Sequence, residues 1–334
     1  MKSMRDAPPD PTPDLRSDTD VPGGIRYDPD LAVHEPAWVP TEQAEPSRRL
    51  SPILLFPLGL AGLAVAVYIL FGMIAGERKS PSDYLDEIRL RRVDAWQPAF
   101  ELSRLLAQEG PADRDPRFVT EMIALLEASR DADPRVRRYL ALSLGEVRDP
   151  RAVDALVAAL ADPDAQTQIY AAWALGSIGD RRAAAGLLPL LDHLDAGIRK
   201  IAAYSLGAIA APEAIEPLRT LLNDPVEDVA WNAALALARR EDRSGLPLLV
   251  RMLDRTYLDR VQRPDETGRP RSLTEGQKEE AILNAVLAIA RLRDRERLGA
   301  LRALRDSDPS LRVRQAAFET LDAIDRARAP AGPP

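Results

Sequence analysis

Cysteine is absent from the 334 residues, and histidine occurs only twice, at His34 and His193. Without thiols the chain has no disulfide staple, no thiolate metal site and no cysteine nucleophile. Two histidines leave little room for a histidine metal site or a His-based triad. Aromatic residues are few, with five Phe, four Trp and seven Tyr. An excess of positive charge is also missing: the formal net charge is −7. That balance argues against a general nucleic-acid binder, which needs a basic surface to displace counterions. No Gly-rich phosphate loop, Walker pattern or nucleophile elbow occurs. The sequence therefore predicts no enzymatic reaction, no cofactor and no metal. What it holds in plenty is Ala, Leu and Arg, a bias toward helices packed closely through small side chains.

The chain divides by composition. Residues 1–51 carry prolines at 8, 9, 11, 13, 22, 29, 36, 40 and 46, with ten acids against six bases. Such a stretch buries too little apolar surface to offset chain entropy and is expected to be a disordered acidic tail. The stretch around Trp38 and Val39 is either a docking motif within it or one stray aromatic. Residues 327–334 are expected to be a second disordered tail.

Ile53–Ala75 is an uncharged apolar run. As a helix it would be roughly 34 Å long, enough for a bilayer core of about 30 Å. A cleaved signal peptide would have a shorter apolar run and would not follow fifty polar residues. The expectation is one transmembrane helix over 52–76, and hence a single-pass membrane location. Arg48 and Arg49 precede the run, whereas Arg78, Lys79, Arg89, Arg91 and Arg92 follow it. The positive-inside rule places the C-terminal domain in the cytoplasm, with the opposite topology left open.

From about residue 94 the chain repeats itself. Val136–Gly145, Thr167–Gly176 and Ile198–Gly207 align without gaps, at a spacing of 31 residues. Val229–Ala238 keeps that spacing, and Ala281–Ala290 and Val313–Asp322 follow after an interruption. Shorter amphipathic segments, 152–160 and 214–222 among them, lie between. Each unit is thus two helices joined by an Asp/Pro turn, and stacked neighbours bury what one pair cannot. Leu144, Leu175 and Leu206 are the expected buried positions.

The pattern Val136, Arg137, Ala141, Leu144 and Gly145, repeated as Ile198, Arg199, Ala202, Ala203, Leu206 and Gly207, resembles the HEAT-repeat family in the short form of phycobilin lyases. The resemblance covers roughly residues 94–325. It implies an all-α fold, an α-solenoid of about six helix pairs over 77–326 whose second helices line a concave face. It is specific for fold and weak for function, since such arrays serve many ends. It also implies that Asp131/Arg137 and Asp308/Arg314, six residues apart, tie units together; Gln168 and Ala230 replace the arginine in the second and fourth units. Some relatives bind iron through His-Glu pairs, but the repeats here contain none. His193 stands where other units carry an acidic turn residue, and reads as a surface turn histidine.

Two interruptions break the period, one near Glu109–Asp115 and a larger one near 255–275. Pro264, Gly268 and Pro270 mark the second as a loop, either a binding element or a tolerated surface insertion.

Helical phase then selects candidate site residues. With each second helix numbered from its Val136-type residue as zero, positions 0, 4, 7 and 8 share the core side. Positions 2 and 6 lie opposite: Arg138 and Leu142, Ile169 and Trp173, Lys200 and Tyr204, Trp231 and Leu235, then Leu283 and Leu287. Trp96 and Phe100 extend the row on the leading helix. Trp and Tyr with Arg are the residue types of interface anchors. The expectation is a membrane-tethered scaffold or adaptor holding a protein or peptide partner on this face, such as a subunit of a membrane complex. No nucleic acid or small-molecule substrate is expected. Two alternatives stay open: superhelical curvature or the insert covers the row, or the chain is a lyase-like, cofactor-handling protein.

Overall fold

The computed structural model describes residues 79–91, 93–110, 115–209, 211–264, 268–293 and 298–326, with Leu63 and Val65 besides. The chain splits into two compact units, Met1–Ala75 and Gly76–Pro334. Of the first, only Leu63 and Val65 are described, both helical and exposed. The expected tails at 1–51 and 327–334 lie outside the described residues.

The expected transmembrane helix requires a correction. Among the described residues no helix is long and apolar enough to cross a membrane. The longest, with 18 residues, is Glu275–Leu292, and it carries Glu275, Lys278, Glu279, Glu280 and Arg291. It is amphipathic and buries one side only. The apolar run at 53–75 lies outside the described residues apart from Leu63 and Val65. The fold class is therefore an all-helical repeat solenoid, with no membrane span among its described elements.

Fifteen α-helices make up the described part of the second unit. They are α1 (Pro81–Leu90), α2 (Trp96–Glu109), α3 (Pro116–Ala128), α4 (Pro134–Val147), α5 (Val153–Ala159), α6 (Ala165–Ile178), α7 (Ala184–Leu187) and α8 (Ala196–Ile209). There follow α9 (Ile215–Leu221), α10 (Glu227–Arg239), α11 (Leu246–Met252), α12 (Arg255–Leu258), α13 (Glu275–Leu292), α14 (Leu298–Ser307) and α15 (Leu311–Arg326). The second helices α2, α4, α6, α8, α10, α13 and α15 pack on one another in succession. That makes seven pairs rather than six. The additional one is led by α1, whose Leu85 and Ile88 are buried.

The turn residues explain where the helices begin. Asp115 and Asp133 cap α3 and α4 by accepting from the N–H of Arg117 and Arg135, each at 2.9 Å. Proline follows each cap, where its missing N–H leaves nothing unsatisfied. Asp164 caps α6 through the N–H of Thr167, and Thr274 with Gln277 forms a capping box on α13.

Leu144, Leu175 and Leu206 are fully buried, as the repeat register requires. Small residues let successive second helices approach closely. A Cβ on Gly207 would lie 2.7 Å from the Cα of Ala236 on the next second helix. The core is not continuous, however. It falls into two clusters that meet on α10, with Val229, Ala233 and Leu237 in the first and Trp231, Ala234 and Ala238 in the second.

Both interruptions acquire structure. The first goes partly into α3, which has 13 residues where α5 and α9 have seven. The second is more than the expected loop: α12 is followed by strands β1 (Gln262–Pro264) and β2 (Pro270–Ser272), paired antiparallel. The apolar residues Leu258, Val261 and Leu273 within it are buried, so part of the segment packs as core.

Candidate functional site

The main arginine–aspartate ties between units run forward along the chain, and of the pairs expected from the resemblance only Asp308/Arg314 is joined, through the Asp308 carbonyl. Arg137 forms a two-pronged bond to Asp162 of the next turn, at 2.6 and 3.0 Å. Its remaining nitrogen donates to the carbonyls of Ser129, Arg130 and Ala132, which leaves Asp131 out. Arg199 repeats the arrangement with Asp224. Arg314 donates to the Asp308 carbonyl, while the Asp308 carboxylate is taken by Arg255 at 2.8 Å on both prongs. The physical reason is reach: the arginine on one second helix points toward the next unit's turn, 25 residues on. His193 sits in a turn, its Nδ1 accepting from the N–H of Asp195. Where the sequence lacks an arginine, Gln168 donates to the Asp162 carbonyl instead.

The residues selected by phase fall as follows. Leu142, Ile169, Trp173, Tyr204 and Leu235 are half-buried, and Lys200 is exposed. Arg138 is half-buried and held by Asp164, at 2.7 Å from Nε. That hydrogen bond, opposed by burial and helped by the Thr167 hydroxyl and N–H, holds the Asp164 carboxyl well below the usual range. Trp173 lies against Gly145 of the preceding unit, where only a residue without Cβ leaves room for the indole. Phe100 is exposed and meets Tyr139 edge-on at 5.2 Å. Arg135 stacks over Trp96 at 4.3 Å. Leu287 is 63% exposed at the far end of the row.

Trp231 is the exception, and its expected exposure is corrected. It is 4% exposed because the 255–275 insert folds back over it. Its indole N–H donates to the Tyr257 hydroxyl at 3.1 Å, and the two rings meet edge-on at 6.3 Å. Arg263 on β1 lies 5.7 Å from the indole centre and bonds Asp228 on α10 through two nitrogens, at 3.0 and 2.5 Å. A buried indole needs such a partner for its N–H.

Arg263 of the insert lines one side of a cavity of about 460 Å³ between α8, α10 and α13. Of the phase-selected residues, Lys200, Tyr204, Trp231 and Leu235 line it; Arg138, Leu142, Ile169 and Trp173 do not. Phase reasoning missed Asn232 and Asn284, which occupy one equivalent position on α10 and α13, and Arg239, Gln277 and Glu280. The Asn232-Ala233 and Asn284-Ala285 match was the available signal. Arg239 stacks over Tyr204 at 4.7 Å. Among the described residues no group of three His, Asp or Glu is placed to hold a metal.

These features define a helical-repeat solenoid of the HEAT kind. The family model for HEAT repeats matches residues 122–206 and 184–264, so this stretch carries HEAT repeats. Among solved structures, the chain resembles the phycocyanin lyase complex of CpcE and CpcF from Nostoc sp. PCC7120: 23% identity, 75% of this chain, 95% of that chain, TM-score 0.48. It also resembles an archaeal HEAT-like repeats protein from Thermococcus onnurineus NA1, at 16% identity over 76% of this chain and 100% of that one, TM-score 0.38. For a designed armadillo repeat protein the values are 20%, 74%, 100% and 0.38. None of the curated proteins matches the chain.

Proposed function

We propose that the solenoid holds a protein or peptide partner along its second-helix face, by non-covalent binding and without a reaction of its own. One observation supports this most directly. Half-exposed Leu142, Trp173, Tyr204 and Leu235 occupy the same position on four successive second helices, and the last two open into the cavity beside the insert. Apolar groups repeated in register are the anchors of an interface, and partners that exclude water from them gain about 25 cal/mol per Å².

The test is a peptide-display selection on the purified full-length chain. Selected peptides are expected to lose binding at least tenfold to Trp173→Ala with Tyr204→Ala, while helical circular dichroism stays unchanged. Selected peptides that bind the folded double variant as tightly as the parent sink the reading.

The lyase-like alternative rests on cavity size alone, since 460 Å³ falls in the range of small-molecule pockets. A pigment or other small molecule co-purifying with the chain, and lost with Tyr204→Ala, would favour it.

A further inference from the structure

We propose that the occupant of the second-helix face is a proline-rich, acidic segment in the polyproline II conformation, read at one turn per repeat. The inference rests on the partner-binding reading above and names the partner's chemistry.

The first argument is register. Leu142, Trp173, Tyr204 and Leu235 recur every 31 residues in the same helical phase. Their spacing in space is therefore that of the helices. Packed helices lie roughly 8–10 Å apart, and the Gly207–Ala236 contact keeps these toward the near end. A polyproline II chain turns once in three residues at about 3.1 Å each, hence about 9.3 Å per turn. Every third side chain of such a segment meets the equivalent position of the next unit. An extended strand repeats its side-chain direction every two residues, about 6.8 Å, and an α-helix every 5.4 Å or so. Both drift out of step within one or two units.

The second argument is surface chemistry. Proline-rich segments dock on aromatic-lined grooves because their preformed helix loses little entropy on binding. Trp173 and Tyr204 supply half-exposed rings in adjacent units. A polyproline II backbone has carbonyls unpaired within itself. Asn284 lines the cavity, and its side chain makes no hydrogen bond among the described residues.

Charge then selects the acidic class. Asp228 is neutralised by Arg263, and Arg138 by Asp164. Lys200 and Arg239 line the cavity, and neither has an ion pair among the described residues. Among the described lining residues only Glu280 opposes them. A glutamate or aspartate where the ligand crosses the cavity answers this surplus.

The regular register sets the length. The 31-residue spacing holds only from Leu142 to Leu235, three steps of about 9.3 Å or roughly nine residues of polyproline II.

The experiment titrates fluorescein-labelled peptides into the full-length chain at low salt. The peptide (Pro-Pro-Glu)4 is expected to bind. The same composition in blocks, eight prolines then four glutamates, should bind at least fivefold more weakly, and (Pro-Pro-Lys)4 at least tenfold. W173A/Y204A should weaken (Pro-Pro-Glu)4 at least tenfold, and K200E/R239E should weaken it fivefold and improve (Pro-Pro-Lys)4. Failure of (Pro-Pro-Glu)4 to bind, or equal affinity for the block peptide, overturns the proposal. Proline-free peptides from the display selection that still depend on Trp173 and Tyr204 overturn it too, but leave the partner-binding reading standing. Loss of that dependence for every selected peptide removes both.

Discussion

The run of units from α4 to α10 and the stretch from α11 to α15 are built from one pattern but held together differently. In the first, matching residues stand 31 apart, and second helices touch through Gly, Ala and Ser. Arg137–Asp162 and Arg199–Asp224 repeat one forward tie. In the second, Asn284 stands 52 residues from its match Asn232, and Val286 and Ile289 are buried in the second core cluster. Several of its ties come from the insert, Arg255 to Asp308, Arg263 to Asp228 and Asp259 to Lys278, while Glu279 pairs directly with Arg312 and Ser310. The comparison teaches where a solenoid admits extra chain. Close contact through small residues leaves no slack between second helices. The connection between a first helix and its second helix has slack, provided the added segment brings its own apolar residues and charge partners.

The division of the core on α10 can be broken by mutation on either side. Leu175→Ala is expected to cost about 2–5 kcal/mol, as deletions of a fully buried leucine do. Units contact mainly their neighbours, so a denaturant titration followed by circular dichroism should show the first cluster melting early. A single transition shifted as a whole would join the two clusters into one cooperative core. A loss under about 1 kcal/mol would mean that the side chain is not packed as described.

A smaller effect separates the two regions by sign. Gly207→Ala places a Cβ 2.6 Å from that of Ala236. Overpacking of this kind costs about 1–3 kcal/mol, against a helix-propensity gain near 1 kcal/mol. Gly299→Ala on α14 meets nothing within 4 Å and should stabilise by up to about 1 kcal/mol. Urea midpoints should move in opposite directions; movement in the same direction would remove close approach as the feature that distinguishes the regular region.

Much of this was legible in the sequence, and the reasons for success and failure are physical. The 31-residue period carries helical phase, so Leu144, Leu175 and Leu206 could be placed in the core; Leu142, Trp173, Tyr204 and Leu235, placed opposite it, are half-buried, and Trp173 and Leu235 pack against the core. Phase within one helix says nothing of what folds over it, and Trp231 was misplaced for that reason. The direction of the Arg137 tie was equally hidden, because a six-residue separation and a 25-residue one are both compatible with its helix position. The hairpin at 262–272 escaped because its strands are three residues each, too short for an alternating pattern to emerge. Asn232 and Asn284 were visible as a repeat match, but the match says nothing of their common cavity, lined on one side by Arg263 of the insert.

The last expected effect concerns the polar tie beside the row of plates. Hydrogen bonding from Arg138, set against burial and aided by Thr167, lowers the Asp164 pKa on folding. A carboxyl with a depressed folded pKa contributes stability that is fully present above its unfolded value, about 3.9. The contribution is lost as pH falls from there through the folded value. Asp164→Asn removes the charge but keeps a side-chain oxygen able to cap Thr167. At pH 7 the substitution should cost about 1–2 kcal/mol, as charged hydrogen bonds do when removed. Arg138 is 28% exposed in its side chain, so water takes up part of the guanidinium's loss and holds the cost at the low end. Below about pH 4 the carboxyl protonates in the unfolded parent while it stays ionised in the folded one, so the difference between the two proteins should narrow steadily as pH falls. Unfolding free energies of both proteins at pH 7, 5, 4 and 3 decide it. A difference that stays constant down to pH 3 would mean that the Arg138–Asp164 contact contributes packing without charge.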